Sequence, residues 1–206
     1  ILGDIKDKKF ISNIISNKKV DYIFHTAAYK HVKFLEGNVL SAIKNNIIGT
    51  ISILRAIKYK KIKFIFISTD KAVKPKTILG ITKRASEVII RFVFSKEGYE
   101  KSNFSIVRFG NVIGSDGSAL PYFLKRIQKD LPILLTDKKM ERYFMTIKEA
   151  CNLVLKSCSL NLGNKILFLD MGKPVRIIDL IKKLFDAYKK PDQKLKIRII
   201  GNRFNE

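Results

Sequence analysis

Three consecutive side chains combine the groups needed for proton transfer. Thr69, Asp70 and Lys71 directly follow an apolar run that the pattern predicts to be a buried strand. Lys83 lies twelve residues beyond Lys71, at the start of the next predicted helix. A hydroxyl, a carboxylate and two amines at one rim of a sheet are sufficient for acid and base chemistry on a hydroxylated substrate. These could be ordinary surface residues, but their position directly after a buried strand favours a functional role.

The elements that would position these residues alternate between short apolar runs and longer helical patterns. The predicted strands are 22–25, 63–68, 104–109, 133–135, 165–169 and 195–200, and the predicted helices are about 38–59, 80–97, 119–129, 147–159 and 175–189. Such alternation is typical of βα units and predicts a parallel sheet. From about residue 112 onward the alternation is less regular, which indicates a second, smaller lobe.

Three loops lie where ligands of an open parallel sheet bind, outside the carboxyl ends of the strands. These loops, residues 26–31, 68–71 and 110–114, are rich in small or polar side chains. We therefore expect them to converge on one crevice. The small side chains at 26–28 would let a cofactor lie close to the backbone, although they could also form a tight turn needed only for packing.

The composition limits the classes of protein that fit. The chain has 206 residues, 46% hydrophobic content and a formal net charge of +23, so it is long enough for one domain with a small C-terminal lobe. Its lysines are spread along the whole chain and no nucleic-acid-binding motif is recognisable. We therefore expect no nucleic acid partner, and the charge would help to attract a phosphorylated or nucleotide-bearing substrate. No apolar run approaches the roughly 18–20 residues of a membrane span.

The cysteines and histidines do not follow a metal-binding pattern. Cys151 and Cys158 lie seven residues apart, and we expect two reduced core residues, as is usual in the cytosol. His25 and His31 have no cysteine or histidine partners at the spacing of a zinc site. The sequence therefore predicts no metal centre and a cytoplasmic location.

Seven short motifs, in order along the chain, resemble those of one enzyme family. They are His25–Val32, Asn45–Thr50, Ser68–Val73, Gly80–Arg84, Arg108–Gly114, Arg142–Met145 and Asp170–Val175. Together they resemble the extended short-chain dehydrogenase/reductase family and, within it, the CapD-type polysaccharide biosynthesis branch. Members of that branch include nucleotide-sugar 4,6-dehydratases that act on UDP-N-acetylglucosamine.

The resemblance implies an α/β fold, with a Rossmann-type parallel sheet and a small C-terminal substrate-binding lobe. Residues 1–111 would form part of an NAD(P)-binding domain, and residues 112–206 would mostly form the substrate-binding lobe, interleaved with the core. The family's glycine-rich segment, which binds the pyrophosphate at a helix N-terminus, would precede residue 1. The family pattern therefore predicts a chain that is truncated at its N-terminus and a sheet that is incomplete there.

The resemblance also implies a reaction. Such enzymes oxidise C4 of the sugar with NAD or NADP, remove a proton from C5, expel the C6 hydroxyl as water and then reduce C6. By resemblance, Asp70 protonates the departing hydroxyl and Lys71 takes the C5 proton. Lys83 would contact the nicotinamide ribose and help deprotonate the 4-hydroxyl, which Thr69 could also contact. These four are the implied catalytic residues.

Two sets of binding residues follow from the same resemblance. The cofactor set is Asp4, Ile5, Thr26, Ala27, Ala28, Lys30, Ser68 and Lys83, and the substrate set is Lys30, Asn111, Arg142 and Arg203. Asp4 and Ile5 would contact the adenine, and Asn111 would face the sugar. A guanidinium suits a phosphate, so Arg142 or Arg203 would bind the diphosphate. The implied partners are a UDP-sugar and, in the full-length protein, further copies of the chain; that parent could be anchored at the inner face of a membrane.

Leu79 departs from the wider superfamily, where tyrosine usually stands four residues before the lysine and acts on the hydroxyl being oxidised. Leucine cannot carry a proton, and CapD-like dehydratases resemble this chain in having an apolar residue there. The 4-hydroxyl proton would then leave through Thr69, Asp70, Lys71 or water. Leu79 therefore favours a dehydratase over a nucleotide-sugar epimerase on the same fold. The other alternative is a non-catalytic remnant or partner subunit that binds nucleotide sugar without turnover.

Overall fold

The computed structural model describes residues 1–115, 117–160 and 163–201. Helical segments alternate with single strands up to residue 109, and several strands follow one another directly beyond it. The strands are β1 Tyr22–His25, β2 Lys63–Thr69, β3 Asn103–Phe109, β4 Asn111–Ile113, β5 Ile133–Leu135, β6 Glu141–Arg142, β7 Phe144–Thr146, β8 Lys165–Phe168, β9 Val175–Arg176 and β10 Ile197–Ile199. The helices are α1 Lys8–Asn17, α2 Val32–Glu36, α3 Val39–Ala42, α4 Gly49–Ala56, α5 Ile78–Val93, α6 Ala119–Gln128, α7 Ile147–Ser159 and α8 Ile177–Tyr188. A π-helix occupies Ile43–Ile48 and a 3-10 turn occupies Asp70–Ala72.

The chain divides into two compact units, and the first, Ile1–Phe109 with Leu153–Leu169, contains a parallel sheet. Its strand order is β1-β2-β3-β8, and all neighbouring strands are parallel. Strand β2 lies in the interior of this sheet and reads as a nearly continuous apolar run, which is typical of a strand buried on both faces. The predicted α/β fold with a parallel sheet is confirmed.

The core of the first unit packs helices against one face of this sheet. Phe64 and Phe66 of β2 are fully buried, and their register partners Phe104 and Ile106 in β3 point to the same face. Ile57, which directly follows α4, belongs to the same apolar cluster. Truncating a buried phenylalanine of this kind typically costs about 3–5 kcal/mol of stability, so this cluster strongly stabilises the pairing of β2 with β3.

The predicted helix over 38–59 is divided in the structure. Helix α3 leads into the π-helix Ile43–Ile48, which is continuous with α4 and turns Asn45 and Asn46 into the interior. Asn38 stands at the N-cap position of α3, but its side-chain amide donates to the Phe34 carbonyl (2.9 Å) and makes no capping bond. Local sequence pattern does not distinguish a π-turn from an α-turn, because the two share the same residue preferences.

Helix α1 was not predicted, although its start carries a recognisable signal. The Asp7 carboxylate accepts the Phe10 amide hydrogen at 3.0 Å, as an N-cap does. The side chain of Ile15 is buried in the core, with Ile11 packed beside it. The predicted boundaries of the other helices and strands differ from the observed ones by only a few residues.

The second unit comprises Gly110–Asn152 and the chain from Asp170 onward. Its strands form three short pairs, β4 with β7, β5 with β10 and β6 with β9. Helices α6 and α8 enclose an apolar cluster that includes Phe123, Ile133 and Ile181. The segment Leu153–Leu169 belongs to the first unit, so the chain crosses between the units more than once.

Three further expectations concern the whole chain. Cys151 is exposed and Cys158 is half-buried, so the prediction of two core cysteines was wrong for Cys151, which lies on the outer side of α7. In the described ranges, no three histidine, cysteine or acidic residues cluster as metal ligands would. None of the helices there combines the length and apolar character required to cross a membrane.

Candidate active site

The structure brings Thr69, Asp70 and Lys71 into one hydrogen-bonded cluster. Asp70 begins the 3-10 turn directly after β2, and the Thr69 hydroxyl donates to Asp70 Oδ1 at 2.8 Å. Lys71 Nζ donates to the same carboxylate oxygen at 3.2 Å. The side chains of Lys71 and Asp70 are 25% and 28% exposed, so a ligand can reach them. The cluster therefore joins an alcohol, a carboxylate and an amine through one shared acceptor.

The N-terminus of α5 packs directly on the backbone of this cluster. A side chain at Gly80 would place its Cβ 2.5 Å from the carbonyl oxygen of Lys71, so only glycine fits. Thr77 caps the helix by accepting the Gly80 amide hydrogen at 3.2 Å. The Glu36 carboxylate accepts the amide hydrogen of Ile78 at 2.8 Å. These contacts fix the start of α5 relative to Lys71.

Leu79 occupies the position at which the wider superfamily has tyrosine, and the structure buries it. Its side chain packs with Leu35 and Ala42 in a small apolar cluster and is only 7% exposed. An isobutyl group buried in this way takes no part in proton transfer. Any proton of a bound hydroxyl must therefore pass to a neighbouring group.

Lys83 lies one turn further along α5 and is largely buried. Its Nζ donates to the carbonyl oxygen of Ile67 at 2.7 Å and lies 4.5 Å from the centre of the Phe66 ring. Burial lowers the pKa of Lys83 to about 8, against the opposing effect of the negative charge of Glu87. The amine of Lys83 thus lies against β2 near its carboxyl end, at a residue two positions before Thr69.

A buried polar network lies behind the loop 26–31, and the sequence analysis did not identify it as one. Thr50 donates its hydroxyl hydrogen to the Asn46 carbonyl (2.7 Å), so we assign the 2.8 Å contact with His25 Nε2 as a bond donated by the imidazole. Asn46 accepts the Tyr29 amide hydrogen (2.8 Å) and donates to the Tyr29 carbonyl (3.1 Å). It also donates to Thr82 of α5 (3.2 Å). The loop after β1 is therefore tied to α5 through the π-helix.

His25 is held in its neutral form by this environment. Burial, and secondarily the positive charge of Lys83, lowers the pKa of His25 to about 3. His25 is only 2% exposed and its ring contacts Thr50, so it belongs to the buried network behind the loop. A histidine on an apolar strand gives no sequence signal that separates this role from a catalytic one.

Glu87 is the second functional candidate that sequence reasoning missed. It is fully buried, and its carboxylate accepts hydrogen bonds from Ser68 of β2 and Arg108 of β3. The available signal was a glutamate four residues after Lys83 and three after Arg84 in one predicted helix, at the spacing of side-chain ion pairs.

The remaining predicted cofactor residues of the first unit fall into two groups. Thr26, Ala27, Ala28 and Lys30 lie in the loop directly after β1, with Thr26 and Lys30 exposed. At the start of the chain, Asp4 pairs with Lys6 at 2.7 Å, a bond that lowers the pKa of the Asp4 carboxyl. Ile5 packs against the core instead of projecting freely. Cofactor contact by these residues stays a prediction.

The predicted substrate residues Asn111 and Arg142 lie in the second unit. Asn111 begins β4, where its amide donates to the Tyr143 carbonyl at 3.0 Å and its register partner is Phe144. Arg142 is half-buried in β6, two residues before Phe144 in the chain. The register therefore places these two residues in one part of the unit. Arg203 lies outside the described residues.

The first unit thus combines a parallel α/β sheet with a group of acid–base side chains at the end of β2. Comparison with known proteins identifies the family to which the chain belongs. The family of polysaccharide biosynthesis proteins matches over residues 1–206, and the chain belongs to that family. The predicted resemblance is confirmed.

Curated relatives include both dehydratases and epimerases. The capsular polysaccharide biosynthesis protein CapD of Staphylococcus aureus is 41% identical over 207 residues, which cover 100% of this chain and 34% of that protein. The inverting UDP-N-acetylglucosamine 4,6-dehydratase of Campylobacter jejuni (strain 81-176) is 36% identical over 169 residues, covering 80% and 49%. A UDP-glucose 4-epimerase of Rickettsia bellii is 32% identical over 206 residues, covering 100% and 59%. The chain thus spans between about a third and three fifths of these relatives.

Solved structures share the fold. Pen from Bacillus thuringiensis superimposes with a TM-score of 0.90 at 32% identity, covering 100% of this chain and 62% of that one. DesIV, a dTDP-glucose 4,6-dehydratase of Streptomyces venezuelae whose structure contains NAD, superimposes with a TM-score of 0.86 at 18% identity, covering 99% and 67%. The second likeness concerns the fold alone.

Proposed function

We propose that this chain carries the catalytic edge of a nucleotide-sugar 4,6-dehydratase that acts on a UDP-N-acetylglucosamine-like substrate in surface polysaccharide biosynthesis. The observation that carries the proposal is the bonded cluster of Thr69, Asp70 and Lys71 beside an apolar, buried Leu79. Elimination across C5 and C6 needs one acid and one base close together. An adjacent carboxylate and amine can supply both.

The elimination step assigns separate roles to Asp70 and Lys71. Lys71, as the free amine, takes the C5 proton and becomes an ammonium. Asp70, as the carboxylic acid, protonates the C6 hydroxyl, which leaves as water. Both groups are then ionised, and the 3.2 Å between Lys71 Nζ and Asp70 Oδ1 would let the two charges stabilise each other.

The return to the starting state uses the same three side chains. Lys71 gives its proton back to C5 when C6 is reduced, and Asp70 must recover the proton that left with the water. Oxidation releases one proton from the 4-hydroxyl, and expulsion of the C6 hydroxyl as water consumes one. The 4-hydroxyl proton can therefore replace the proton that Asp70 gives away. The Thr69 hydroxyl already donates to Asp70 Oδ1 at 2.8 Å, so we propose that it relays the 4-hydroxyl proton to Asp70. Leu79 takes no part in this transfer.

The residues of the first unit fit a dinucleotide. Small side chains at Ala27 and Ala28 leave the end of β1 open, and Lys83 places an amine at the carboxyl end of β2. When bound, NAD or NADP supplies reversible oxidation at C4 and reduction at C6. We propose that the loop 26–30, the backbone of Ser68 and Lys83 hold it, with Asp4 and Ile5 at the adenine. The hydroxyl of Ser68 is already bonded to Glu87.

The other partners are proposals of the same kind. Asn111, Arg142 and Arg203 would bind the UDP-sugar, with the arginines on the diphosphate. Homo-oligomerisation, a cytoplasmic location and membrane anchoring of a longer parent protein stay predictions.

The direct test incubates the full-length protein with UDP-N-acetylglucosamine and NAD in deuterium oxide. We expect a 4-keto-6-deoxy product that carries deuterium at C5, because the proton on Lys71 exchanges with solvent. The variant Asp70→Asn, Lys71→Met should lower the rate by about 10²–10⁴-fold. Lys74→Met, which changes an exposed lysine in the following loop, is the matched control. Absence of product from the unaltered protein would contradict the proposal.

The epimerase relative from Rickettsia bellii makes a nucleotide-sugar 4-epimerase the second candidate. An epimerase oxidises C4 but expels no water, so the Asp70–Lys71 pair would have no role in it. The same incubation separates the two, because an epimerase returns a product of unchanged mass that is inverted at C4. The buried Leu79 disfavours this outcome, since it leaves no tyrosine to act on the 4-hydroxyl.

A further inference from the structure

The carboxylate of Glu87 joins three elements of the first unit at the edge where the candidate catalytic cluster begins. Its Oε1 accepts the hydroxyl hydrogen of Ser68 at 2.6 Å and the Nε hydrogen of Arg108 at 2.7 Å. Its Oε2 accepts one hydrogen bond from a terminal nitrogen of Arg108 and a second, at 3.2 Å, from a terminal nitrogen of Arg84. Ser68 and Arg108 are register partners on neighbouring strands. The network therefore crosses from α5 to β2 and β3.

Helix α5 is attached to β2 at two successive residues of the strand. Lys83 donates to the carbonyl oxygen of Ile67, and Glu87, one turn later, accepts from the hydroxyl of Ser68. The next residue in the chain is Thr69, which carries the bond to Asp70. The two attachments thus set the position of Lys83 relative to the candidate catalytic hydroxyl and carboxylate.

Stability alone does not account for this arrangement. A buried ion pair such as Glu87–Arg108, with side chains 0% and 7% exposed, bears a desolvation penalty that well-packed apolar residues avoid. What a charged network provides is a fixed geometry, because each bond constrains both distance and direction. The position of the network, one residue before the cluster, matches that role.

We propose that Glu87 is a positioning residue, which acts through Ser68 to hold Thr69 and Asp70 in register with Lys83. The expected effect on kcat rests on the proposed function. The expected effect on the position of Thr69 and Asp70 does not depend on the substrate. Ser68 then serves as the link between helix and strand, and the loss of its hydroxyl should disturb turnover more than cofactor binding.

The test removes the link and keeps the ion pair. Ser68→Ala deletes one hydroxyl and leaves Glu87 and Arg108 in place, so the protein should still fold. Ser105→Ala is the matched control, because Ser105 is equally buried (3% against 4% exposed) on the adjacent strand and lies outside the network. Thermal unfolding of both variants confirms that each is folded before further measurement.

The first readout is amide hydrogen exchange of the full-length protein at Lys71 and Val73. In the 3-10 turn these amides bond to Thr69 Oγ1 (3.3 Å) and to the Asp70 carbonyl (3.1 Å). We expect exchange to accelerate about tenfold in Ser68→Ala and to stay unchanged in Ser105→Ala. Equal exchange in the two variants would overturn the proposal. This readout is independent of any catalytic activity.

The second readout separates positioning from direct contact. We expect Ser68→Ala to lower kcat about tenfold or more, since small misplacements of catalytic groups slow the chemical step, with the Kd for NAD unchanged. A weakened Kd with an unchanged kcat would mean that the hydroxyl contacts the cofactor directly, and the proposal would fail. If the unaltered protein forms no product, the proposed function fails, and the exchange measurement decides the positioning role by itself.

Discussion

At the scale of single residues, Lys83 illustrates how a candidate catalytic group can oppose the stability of the fold. Its ammonium is buried, and the pKa of Lys83 falls from 10.5 to about 8 on folding. The charged form is therefore disfavoured in the folded state. The penalty is fully present below about pH 8 and disappears as the pH rises through the unfolded pKa of 10.5.

We therefore expect Lys83→Met to stabilise the protein at pH 7. Removing the buried ammonium relieves a desolvation penalty of about 3 kcal/mol. Losing its hydrogen bond to the Ile67 carbonyl costs about 1 kcal/mol. Urea unfolding at pH 7 should show a net gain of about 2 kcal/mol, which shrinks as the pH approaches 10.5, while activity is lost. Lys74→Met, at an exposed site, should change stability little. A Lys83→Met variant less stable than the parent would refute this prediction.

His25 produces a dependence of the same sign in a more acidic range, because its pKa is also lowered by burial. The pKa of His25 falls from 6.5 to about 3 on folding, so its contribution to stability is present above pH 6.5 and is lost as the pH falls towards 3. Between pH 7 and pH 5 this group alone should cost about 2 kcal/mol of unfolding free energy. The amide of His25→Gln can still donate to Thr50 but does not titrate. Between pH 7 and pH 5 this variant should therefore lose about 2 kcal/mol less unfolding free energy than the parent protein. The exposed His31→Gln serves as the control, and identical pH dependence in all three proteins would disprove the assignment.

At the scale of elements, the N-terminus of α5 must approach the 3-10 turn closely. Gly80→Ala would place a methyl group 2.5 Å from the Lys71 carbonyl oxygen, which is backbone and cannot rotate away. We expect a loss of about 1–3 kcal/mol in unfolding free energy and a marked fall in kcat. Gly37→Ala is the matched control, since its Cβ meets only the Phe34 carbonyl at 3.9 Å and its φ of −89° suits alanine. Comparable losses in both variants would show that the contact is unimportant.

The strands and most helices could be predicted from the sequence because their signals are local. Apolar runs such as Phe64–Ile67 indicate a buried parallel strand, and their ends locate the loops that carry Thr69, Asp70 and Lys71. The π-helix could not be predicted, because its wider turn depends on the tertiary bonds of Asn46 with Tyr29 and Thr82.

The same limit applies to the candidate site. The hydroxyl, the carboxylate and the amine are adjacent in the chain, so their grouping was visible in the sequence. The partners of Glu87 are not adjacent: Ser68 and Arg108 lie 19 and 21 residues away. Pairing at such separations depends on how α5 packs against the sheet. Sequence pattern shows the members of such a network only as isolated polar residues within apolar elements.

At the scale of the whole molecule, the dominant property is a net charge of +23, from 41 basic and 18 acidic residues. An excess of this size makes the compact state repel itself, and it attracts anions such as a nucleotide diphosphate. Salt weakens both effects, because the Debye length falls from about 20 Å at about 20 mM to about 6 Å at about 300 mM salt. The self-repulsion should therefore be visible as a stability that rises with ionic strength.

We expect the Tm of the chain to rise by about 3 °C between about 20 and about 300 mM NaCl, which corresponds to about 1 kcal/mol for a protein of this size. KCl at the same concentrations should have the same effect, since screening does not depend on the cation. The matched variant replaces four exposed lysines of the first unit with glutamine, at Lys8, Lys18, Lys61 and Lys74, and lowers the net charge from +23 to +19. Its Tm should start higher at low salt and rise less. A Tm that is independent of salt in the parent chain, or an equal rise in the variant, would mean that oppositely charged neighbours already neutralise the lysines locally.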